Sequence, residues 1–392
     1  MNHFGLTARE IELKGAQWTV REIVQQPDIW QEIEKQFAID SYGVADFLAP
    51  LMRRADLRIV LTGAGTSAFI GECLAPAMFR HYKRWIAAVS TTDLAAGPGS
   101  CLLANVPTLL LSFARSGNSP ESEAALDIVE RCVSACYHLI VTCNADGTLY
   151  QRGDRLPNAR VIVLPEATND RSFAMTSSFS AMLLAAALAF KLPLSSAVQS
   201  AAPIGELAQA VRGVRGGWLP RIQSIVGEKF ERVIFLGANE LKGLARESAL
   251  KMLELTDGKI VSVADTPLGF RHGPKTIVNR RTLVVLFLSN DAYARRYDLD
   301  LLAELRADAI AGRVLALTAR RDTGTPHPDD IAMPALSGSS DLALCLPFAV
   351  FAQSLALMHS LSHGIRPDTP NAAGVVSRVV QGVSIYPLER SV

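Results

Sequence analysis

The sequence predicts an α/β protein that consists of two tandem, doubly wound parallel-sheet α/β/α sandwiches after an N-terminal helical extension. Three observations support this fold class. Short β-branched runs alternate with segments of helix length along the chain. These runs are almost wholly apolar, as expected for parallel strands that helices cover on both faces. The chain has 392 residues, of which 49% are hydrophobic, so two domains with sizeable cores are expected.

Four strand-like runs of the first half recur in the same order in the second half. The first two pairs are separated by 174 residues, the third by 175 and the fourth by 181. This nearly constant spacing predicts a duplicated α/β unit. The pairs are Arg58–Gly63 with Arg232–Gly237, Thr108–Phe113 with Thr282–Phe287, His138–Thr142 with Arg313–Leu317, and Arg160–Pro165 with Asp341–Pro347.

The segments before and between the two halves are predicted to be helical. Residues 1–45 have a helical pattern, in which Thr7 and Glu10 are spaced as a capping box. The connection over residues 172–230 is predicted to be mostly helical, with a break near Gly213–Pro220, because glycine and proline there disfavour a helix.

The tail after Ile365 is rich in proline and glycine and contains one predicted short strand, Gly382–Tyr386. These segments define the expected domains. We expect an extension over residues 1–45, a first sandwich over residues 46–210, and a second sandwich with the tail over residues 211–392.

The composition favours a cytoplasmic protein without a nucleic-acid or membrane partner. The 39 Lys and Arg residues nearly balance the 38 Asp and Glu residues, whereas a nucleic-acid partner favours a basic excess. The longest apolar run, Met182–Phe190, is much shorter than the ~20 residues that cross a bilayer. The charged N-terminal segment does not have the pattern of a signal peptide. Six cysteines without a CxxC pair fit free thiols in a reducing compartment.

Two turns of the first half contain residues that suit a phosphate group. Gly63–Ser67 follows a predicted strand and begins a helix, where glycines allow close backbone approach and N–H groups attract anions. A third glycine is missing at Ala68, so a dinucleotide cofactor is disfavoured. The loop after Thr108–Phe113 adds hydroxyls and an amide at another helix start. The predicted phosphate-binding residues are Thr66, Ser67, Arg115, Ser116, Gly117, Asn118 and Ser119.

The corresponding turns of the second half lack this chemistry. Gly237–Glu240 replaces the first turn, and Ser289–Tyr293 replaces the serine-rich loop. The carboxylates of Glu240 and Asp291 are expected to repel a phosphate dianion. The sequence therefore predicts one phosphate site per chain, in the first half.

The second half instead contains a helix with a row of charged side chains. Glu247, Lys251 and Glu254 are spaced i, i+4 and i+7, so they share one face of the predicted helix Gly243–Leu255. The apolar neighbours of these residues predict that the helix is largely buried, which is unusual for a row of charges. Further along, His272 lies in a rigid Gly-Pro setting that suits acid–base chemistry.

These motifs resemble the sugar isomerase (SIS) domain, and in particular the isomerase half of glucosamine-6-phosphate synthase, over about residues 45–392. At closer range the chain is similar to the galactosamine-6-phosphate deaminase/isomerase branch, whose members are also named tagatose-6-phosphate ketose/aldose isomerases. The superfamily motifs are Gly63–Ser67, Arg115–Ser119, Glu247–Glu254 and His272–Pro274, and the branch motifs are Trp18–Ile23, Asn169–Phe179 and Thr266–Pro274.

The resemblance implies a role for each candidate residue. Glu254 would move a proton between C1 and C2 of the sugar, and His272 would open the ring from the neighbouring subunit. Glu247 and Lys251 would position the sugar or tune Glu254. A homodimer or larger homo-oligomer with a shared active site is therefore expected. Ser67, Ser116 and Ser119 would hold the phosphate, and a loop with Arg171, Ser172, Thr176 and Ser177 would close over the substrate.

Two departures from the synthase define the expected reaction. No glutaminase domain is expected, so ammonia would not come from glutamine. The last lysine is Lys275, and Arg378 lies in the tail near the place of the synthase's Schiff-base lysine, so a lysine imine is not expected. The resemblance implies a deaminase, without a metal or organic cofactor, that converts D-galactosamine 6-phosphate into D-tagatose 6-phosphate and ammonia.

Two other functions remain open at this stage. A plain ketose/aldose phosphate isomerase needs the same base and ring opener but releases no ammonia. A sugar-phosphate sensor needs only the phosphate site, and such regulators usually contain a basic DNA-binding segment. Residues 1–45 have seven acidic and four basic residues, which disfavours the sensor. The sequence does not separate galacto from gluco substrates, which differ at one hydroxyl.

Overall fold

Two five-stranded sheets with the same strand order form the framework of the computed structural model. The structure describes residues 3–39, 42–195, 203–320, 327–380 and 382–388, except the side chains of residues 203, 214 and 215. The first sheet contains β1 (Arg58–Thr62), β2 (Ile86–Ala88), β3 (Thr108–Ala114), β4 (Cys136–Thr142) and β5 (Ala159–Val163). The second contains β6 (Arg232–Gly237), β7 (Val261–Asp265), β8 (Thr282–Phe287), β9 (Arg313–Thr318) and β10 (Ile331–Ala332).

The strand orders are β2-β1-β3-β4-β5 and β7-β6-β8-β9-β10, and neighbouring strands are parallel. This arrangement confirms the predicted fold class. The short strands β2 and β7 were not anticipated from the sequence. The helices are α1 (Ala8–Leu13), α2 (Gln17–Ala38), α3 (Val44–Met52), α4 (Thr66–Tyr82), α5 (Thr91–Ala96), α6 (Pro120–Cys132), α7 (Thr148–Arg155), α8 (Ser177–Ala189), α9 (Pro203–Gly227), α10 (Glu240–Leu255), α11 (Pro267–Phe270), α12 (Ala292–Asp308) and α13 (Asp341–Ser362).

Each sheet has an apolar core of its own. The central strands β3 and β8 are buried at every residue, because helices cover both faces of each sheet. In the first core, Val60 and Leu110 pack with Leu126 of α6. In the second, Val284 of β8 packs with Leu301 of α12. The carboxyl ends of the strands are the edge at which parallel α/β sheets bind ligands.

The predicted capping box at the N-terminus of α1 is confirmed. The hydroxyl oxygen of Thr7 accepts a hydrogen bond from the N–H of Glu10, and the N–H of Thr7 donates to the carboxylate of Glu10 at 2.7 Å. Helices α1, α2 and α3 also confirm the helical pattern that the sequence shows before the first sheet.

The predicted strand Asp341–Pro347 is wrong, because these residues begin the long helix α13. Ser340 caps this helix by accepting a hydrogen bond from the N–H of Ala343. The counterpart of β5 is instead the two-residue strand β10. A buried helix and a buried strand are both continuously apolar, so periodicity alone does not separate them.

Two smaller expectations about secondary structure are also wrong. Helix α9 runs without a break through Gly213–Pro220, because Trp218, Ile222 and Ile225 bury one face of the helix and outweigh the low helix propensity of glycine. The tail residues Gly382–Tyr386 do not form the predicted strand, since no strand in the described part of the chain pairs with them.

The chain forms two compact units that do not follow the sequence order. Unit 1 contains the second sheet together with the start of the chain, and unit 2 contains the first sheet together with the tail. The boundaries predicted at residues 45 and 210 follow chain order, whereas these units do not. Unit 1 comprises Met1–Gln31, Asp170–Ser180 and Pro193–Ala372, and unit 2 comprises Glu32–Asn169, Ala181–Leu192 and Ala373–Val392.

Helix α13 is long and apolar enough to cross a membrane by length and composition alone. It is, however, buried along almost its whole length inside the protein, as the core helix of a globular unit would be. The helix is therefore explained by its place in the core of unit 1.

Candidate active site

The turn between β1 and α4 has the backbone geometry of a close ligand approach. A Cβ atom on Gly63 would lie 2.6 Å from the backbone of Ser67, so only glycine fits there. Gly65 has a φ of 54° and lets the chain enter α4. Thr66 and Ser67 then begin the helix, both nearly buried. The turn thus directs the positive end of α4 toward the carboxyl edge of the first sheet.

The loop after β3, residues 115–119, provides unpaired N–H groups beside that turn. We call it the phosphate loop. Its Gly117 has a φ of 67°, and among the described residues no acceptor takes a hydrogen bond from the N–H groups of Ser116, Gly117 and Ser119. Since Thr62 of β1 and Ser112 of β3 are direct partners in the sheet, both turns lie at one edge. Convergent N–H groups and hydroxyls of this kind suit an anion.

Two predicted phosphate ligands brace the phosphate loop instead of pointing into free space. The guanidinium of Arg115 donates to the backbone carbonyl of Arg378 in the tail at 2.6 Å. The side-chain oxygen of Asn118 accepts from the N–H of Thr148 at 2.9 Å, at the start of α7. Asn144 donates to the carbonyl of Ser116 at 2.8 Å. The sequence reasoning missed Thr148 and Asn144, although both follow β4 at the same sheet edge.

Four polar atoms are buried beside these turns without a hydrogen-bond partner among the described residues. Buried polar groups normally have a partner, so unpaired ones at a sheet edge are candidates for contact with a ligand or an ordered water. The sequence reasoning did not identify them, because two belong to strands that read as plain core. The atoms are Thr62 Oγ1, Thr91 Oγ1, Ser112 Oγ and Glu121 Oε2.

The equivalent loop of the second half, residues 289–291, is filled by the protein's own carboxylates. We call it the counterpart loop. The N–H of Ser289 donates to Asp298 at 2.8 Å, and the N–H of Asn290 donates to Asp341 at 2.6 Å. Asp291 caps α12 by accepting from the N–H groups of Tyr293 and Ala294. The loop therefore has no open N–H cluster, which agrees with a single phosphate site in the first half.

Burial and a neighbouring charge together raise the pKa of one of the acids that accept hydrogen bonds from the counterpart loop. Burial raises the pKa of Asp298 to about 7, and the charge of nearby Asp341 adds to this effect. The sequence reasoning expected Glu240 and Asp291 to exclude phosphate, whereas Asp298 and Asp341 occupy the donors of this loop. Glu240 lies buried at the start of α10.

The charged row on α10 is buried, as predicted. Lys251 is fully enclosed, and its ammonium contacts the carboxylate of Glu254 and lies 3.6 Å from a carboxylate oxygen of Glu247. A buried ammonium requires such partners, because removing it from water is costly. The side chain of Glu254 is 24% exposed, against 1% for Glu247. Glu254 is thus the member of the row that a ligand can reach, and Lys251 holds it in place.

His272 lies in an exposed turn of unit 1 between α11 and a short 3-10 helix, Pro274–Ile277. Its N–H donates to the carbonyl of Gly269 at 2.9 Å, and Gly273 follows with a φ of 118°. No hydrogen bond or ion pair is described between its ring and the charged row of α10. An exposed imidazole in a fixed turn is accessible for proton transfer.

The predicted substrate loop, Arg171–Ser177, is held by carboxylates. Ser172 donates its hydroxyl to Glu22, and Ser177 donates its hydroxyl to Asp170. The guanidinium of Arg171 lies over the ring of Trp18, 4.7 Å from the ring centroid. These contacts leave the hydroxyl of Thr176, which is buried and has no partner among the described residues.

Among the described residues, Glu130, Cys136 and His138 form a group whose side chains could hold a metal ion. A carboxylate oxygen of Glu130 lies 2.7 Å from Nε2 of His138 and 3.3 Å from the thiol of Cys136. Burial raises the pKa of Cys136 to about 11, so the thiol keeps its proton at neutral pH. Hydrogen bonds to Glu130 therefore account for this group, which lies at the amino end of β4.

Comparisons with known proteins agree with this geometry. The SIS domain family matches residues 51–192, a range that contains both turns of the first half. A protein from Escherichia coli named D-galactosamine-6-phosphate deaminase AgaS is 45% identical over 372 residues, which are 94% of this chain and 96% of the relative. A Streptomyces coelicolor relative with the same name, given provisionally, is 47% identical over 94% of this chain and 95% of its own length.

A solved structure extends the similarity to the whole fold. The crystal structure of tagatose-6-phosphate ketose/aldose isomerase from Escherichia coli has a TM-score of 0.85 and 41% identity, covering 94% of this chain and 96% of that chain. These similarities confirm the resemblance that the sequence motifs predicted.

Proposed function

Because the chain belongs to the SIS-domain family of its AgaS relatives, we propose that it converts D-galactosamine 6-phosphate and water into D-tagatose 6-phosphate and ammonia. The E. coli relative is named for the deamination, and 45% identity over nearly the full length supports the same substrate class here. Ring opening and proton transfer between C1 and C2 need an anion site, a base and a proton donor, and no redox step.

The observation that carries the proposal is the phosphate loop with its open N–H groups. Ser116, Gly117 and Ser119 offer backbone donors, while the equivalent donors of the second half are already occupied. Binding the phosphate through fixed donors uses binding energy from a part of the substrate that does not react. We assign the phosphate to this loop and to Thr66 and Ser67.

We assign the proton transfer to Glu254. His272 opens the ring, which exposes the C1 aldehyde and acidifies the C2 proton. Glu254 removes the C2 proton, and protonation at C1 converts the enolamine into an imine at C2. Water adds to this imine and ammonia leaves, which gives the ketose phosphate. The fixed contact between Lys251 and Glu254 supports this role, because it holds one carboxylate oxygen and leaves the other for substrate.

A plain ketose/aldose isomerase is the second candidate, and the name of the E. coli structure favours it. The two reactions share the base and the ring opener and differ in the group at C2. Ammonia release from galactosamine 6-phosphate, compared with tagatose 6-phosphate formation from galactose 6-phosphate, separates them. A sensor would bind both sugars and turn over neither.

Glu254→Gln tests the proposed base. We expect this variant to bind the sugar phosphate with unchanged affinity and to lose turnover by at least about 1000-fold, because a carboxamide does not take the proton. Stopped-time ammonia assays measure turnover, and calorimetry of the variant with galactosamine 6-phosphate measures binding. Turnover that persists in Glu254→Gln would remove this residue as the base.

We further propose a cytoplasmic homo-oligomer whose active site is shared between subunits. The exposed position of His272 fits a shared site, and the reduced thiols of the six cysteines fit a cytoplasmic protein. A mixture of inactive Glu254→Gln and His272→Ala subunits tests it, since mixed oligomers then contain sites with both intact groups. Recovery of activity is expected, and a mixture as inactive as its components would contradict a shared site.

A further inference from the structure

Glu22 of α2 is a buried carboxylate whose described hydrogen bonds all come from the substrate loop. It accepts from the N–H of Arg171 and from both the N–H and the hydroxyl of Ser172. Glu22 is 3% exposed and lies 149 residues earlier in the chain than Arg171. A buried carboxylate is stable only when its oxygens are hydrogen-bonded, so Glu22 and the first turn of this loop depend on each other.

Asp170 anchors the other end of the same loop. Its carboxylate accepts from the N–H of Thr176 at 2.8 Å, from the hydroxyl of Ser177, and from the N–H and hydroxyl of Ser178 at 2.9 and 2.6 Å. The two carboxylates together accept five hydrogen bonds from the loop, and Asp170 accepts two more from Ser178 directly after it. The loop is thus fixed at both ends, and these contacts hold its conformation before substrate binds.

Glu22 and Asp170, which we call the clamp, determine which polar groups of the substrate loop remain available to a ligand. The hydroxyls of Ser172 and Ser177 are used by carboxylates, whereas the hydroxyl of Thr176 is buried without a partner among the described residues. Both backbone groups of Thr176 are engaged, since its N–H donates to Asp170 and its carbonyl accepts from Gln353. Buried polar groups normally have a hydrogen-bond partner, so an unpaired hydroxyl on a fixed backbone is available to bind a ligand.

Helix α2 is itself firmly attached. Asp368 accepts from the N–H of Trp18 at 3.1 Å and from the N–H and hydroxyl of Thr19 at 2.8 and 2.7 Å. The ring of Trp18 supports the guanidinium of Arg171. The branch motif that begins at Trp18 therefore has a structural purpose, because it supplies a rigid support on which the loop is mounted.

We infer that Glu22 is a positioning residue, which with Asp170 fixes the substrate loop so that the hydroxyl of Thr176 contacts the bound sugar. This inference rests on the proposed function, because it requires that the loop contacts the substrate. It gives α2, which contains none of the predicted catalytic groups, a direct part in arranging the reaction.

Glu22→Gln tests the clamp. A carboxamide keeps the size of the side chain but turns an NH₂ group toward donors, so at least one of the three contacts is lost. We expect amide hydrogen exchange at Arg171 and Ser172 to become at least about tenfold faster and kcat to fall about 100-fold, because small misplacements of contact groups are that costly. Affinity for inorganic phosphate stays unchanged. Glu32→Gln, at an exposed position of the same helix, is the matched control.

Two further variants keep the test decisive. Ser172→Ala removes the hydroxyl contact to Glu22 from the loop side and keeps the backbone N–H contact, and it should reproduce the faster exchange without altering α2. Thr176→Val removes the unpaired hydroxyl at constant shape, and it should weaken substrate binding about tenfold with the exchange rates unchanged.

The outcomes separate the clamp from the proposed function. If the wild-type protein releases no ammonia from galactosamine 6-phosphate, the proposed function fails, and the exchange rates still decide whether the clamp exists. Exchange in Glu22→Gln equal to that of the wild type overturns the clamp. Faster exchange with full kcat overturns the positioning role and leaves Glu22 as a stability residue.

Discussion

The phosphate loop and the counterpart loop follow the central strands of two sheets with the same order, yet their chemistry is opposite. In the phosphate loop the N–H groups of Ser116, Gly117 and Ser119 have no described acceptor. In the counterpart loop the N–H groups of Ser289 and Asn290 donate to carboxylates of the protein itself. The phosphate loop can therefore bind an external anion, whereas the donors of the counterpart loop already bind side-chain carboxyl groups of the protein.

The turns after β1 and β6 show that the backbone alone does not make the site. Gly65 and Asn239 have nearly the same dihedral angles, 54° and −124° against 50° and −120°. Gly63 and Gly237 each leave no room for a Cβ atom. The second half therefore keeps the backbone of an anion site but has replaced its ligands. The fold places backbone N–H donors at the sheet edge in both halves. Anion binding then depends on which of these donors have no acceptor within the protein.

Asp341→Ala should have the largest effect among the changes that test this contrast. It removes the acceptor of the Ser289 hydroxyl and of the N–H of Asn290, which should lower the free energy of unfolding by about 2 kcal/mol. It also opens the N–H of Asn290 to an external anion, while Asp298 still accepts from the N–H of Ser289. Inorganic phosphate should therefore raise the melting temperature of the variant more than that of the wild type.

The control for this change is Asp300→Ala, at an exposed position of α12. Its melting temperature should respond to phosphate like that of the wild type. If Asp341→Ala shows no greater response to phosphate than this control, the carboxylate does not replace an external anion, and the contrast between the two loops has another cause.

Ser116→Ala should have the next largest effect. We expect the affinity for the sugar phosphate to fall about tenfold, because a hydrogen bond to a charged group is worth about 1.5–3 kcal/mol and part of it is replaced by water. Ser289→Ala is the matched control in the counterpart loop and should leave substrate affinity unchanged. Titration calorimetry measures both. A loss of affinity in Ser289→Ala would place ligand binding in the second half as well.

Local patterns predicted much of this structure from the sequence. Three correctly predicted features depend on residues a few positions apart in the sequence. They are the strands that correspond to the repeated runs (β1, β3, β4, β5, β6, β8 and β9), the capping box at Thr7, and the buried charged row of α10. Glu247, Lys251 and Glu254 were visible as a unit because helical spacing brings them together. The predicted strand at Asp341 failed because an apolar run fits a buried helix equally well.

The contacts that the sequence did not reveal join distant parts of the chain. Glu22 meets Ser172 across 150 residues, and Asp341 meets Ser289 across 52 residues. No spacing rule connects such positions. The same holds for Asn118, which is suited by its chemistry to bind phosphate but accepts a hydrogen bond from Thr148 instead. Residue type indicated which groups could bind, and only the fold shows which of them are already occupied.

The pH dependence of stability provides a smaller test of the counterpart loop. Burial raises the pKa of Asp298 to about 7 from an ordinary value near 4, so the folded protein holds this proton more tightly than the unfolded chain does. The stability that the proton contributes is complete at low pH and is lost as pH rises through about 7. Between pH 6 and 8 we expect a loss of about 1 kcal/mol that Asp298→Asn removes.

Denaturant titrations at several pH values measure this loss. Glu22 contributes a loss of the same sign, because burial and the charge of Asp170 raise its pKa to about 7 as well. Burial lowers the pKa of His359 to about 4, so this group adds an effect of opposite sign that extends up to about pH 6.5 and overlaps the lower part of this window. The effect is common to the wild type and Asp298→Asn, so it cancels in the difference between them. A wild-type stability that is constant from pH 6 to 8, with an equally flat Asp298→Asn, would contradict the raised pKa of this acid.

Asn118→Ala should have the smallest effect, and it separates two interpretations of the phosphate loop. The structure shows the side chain accepting from the N–H and hydroxyl of Thr148, at an exposed position. Its loss should therefore only loosen the loop, with about a threefold weaker affinity for the sugar phosphate. Asn290→Ala in the counterpart loop is the control and should not change this affinity. If Asn118→Ala weakens binding as much as Ser116→Ala, the amide contacts the phosphate directly, as its residue type alone suggested, and the brace to Thr148 gives way when substrate binds.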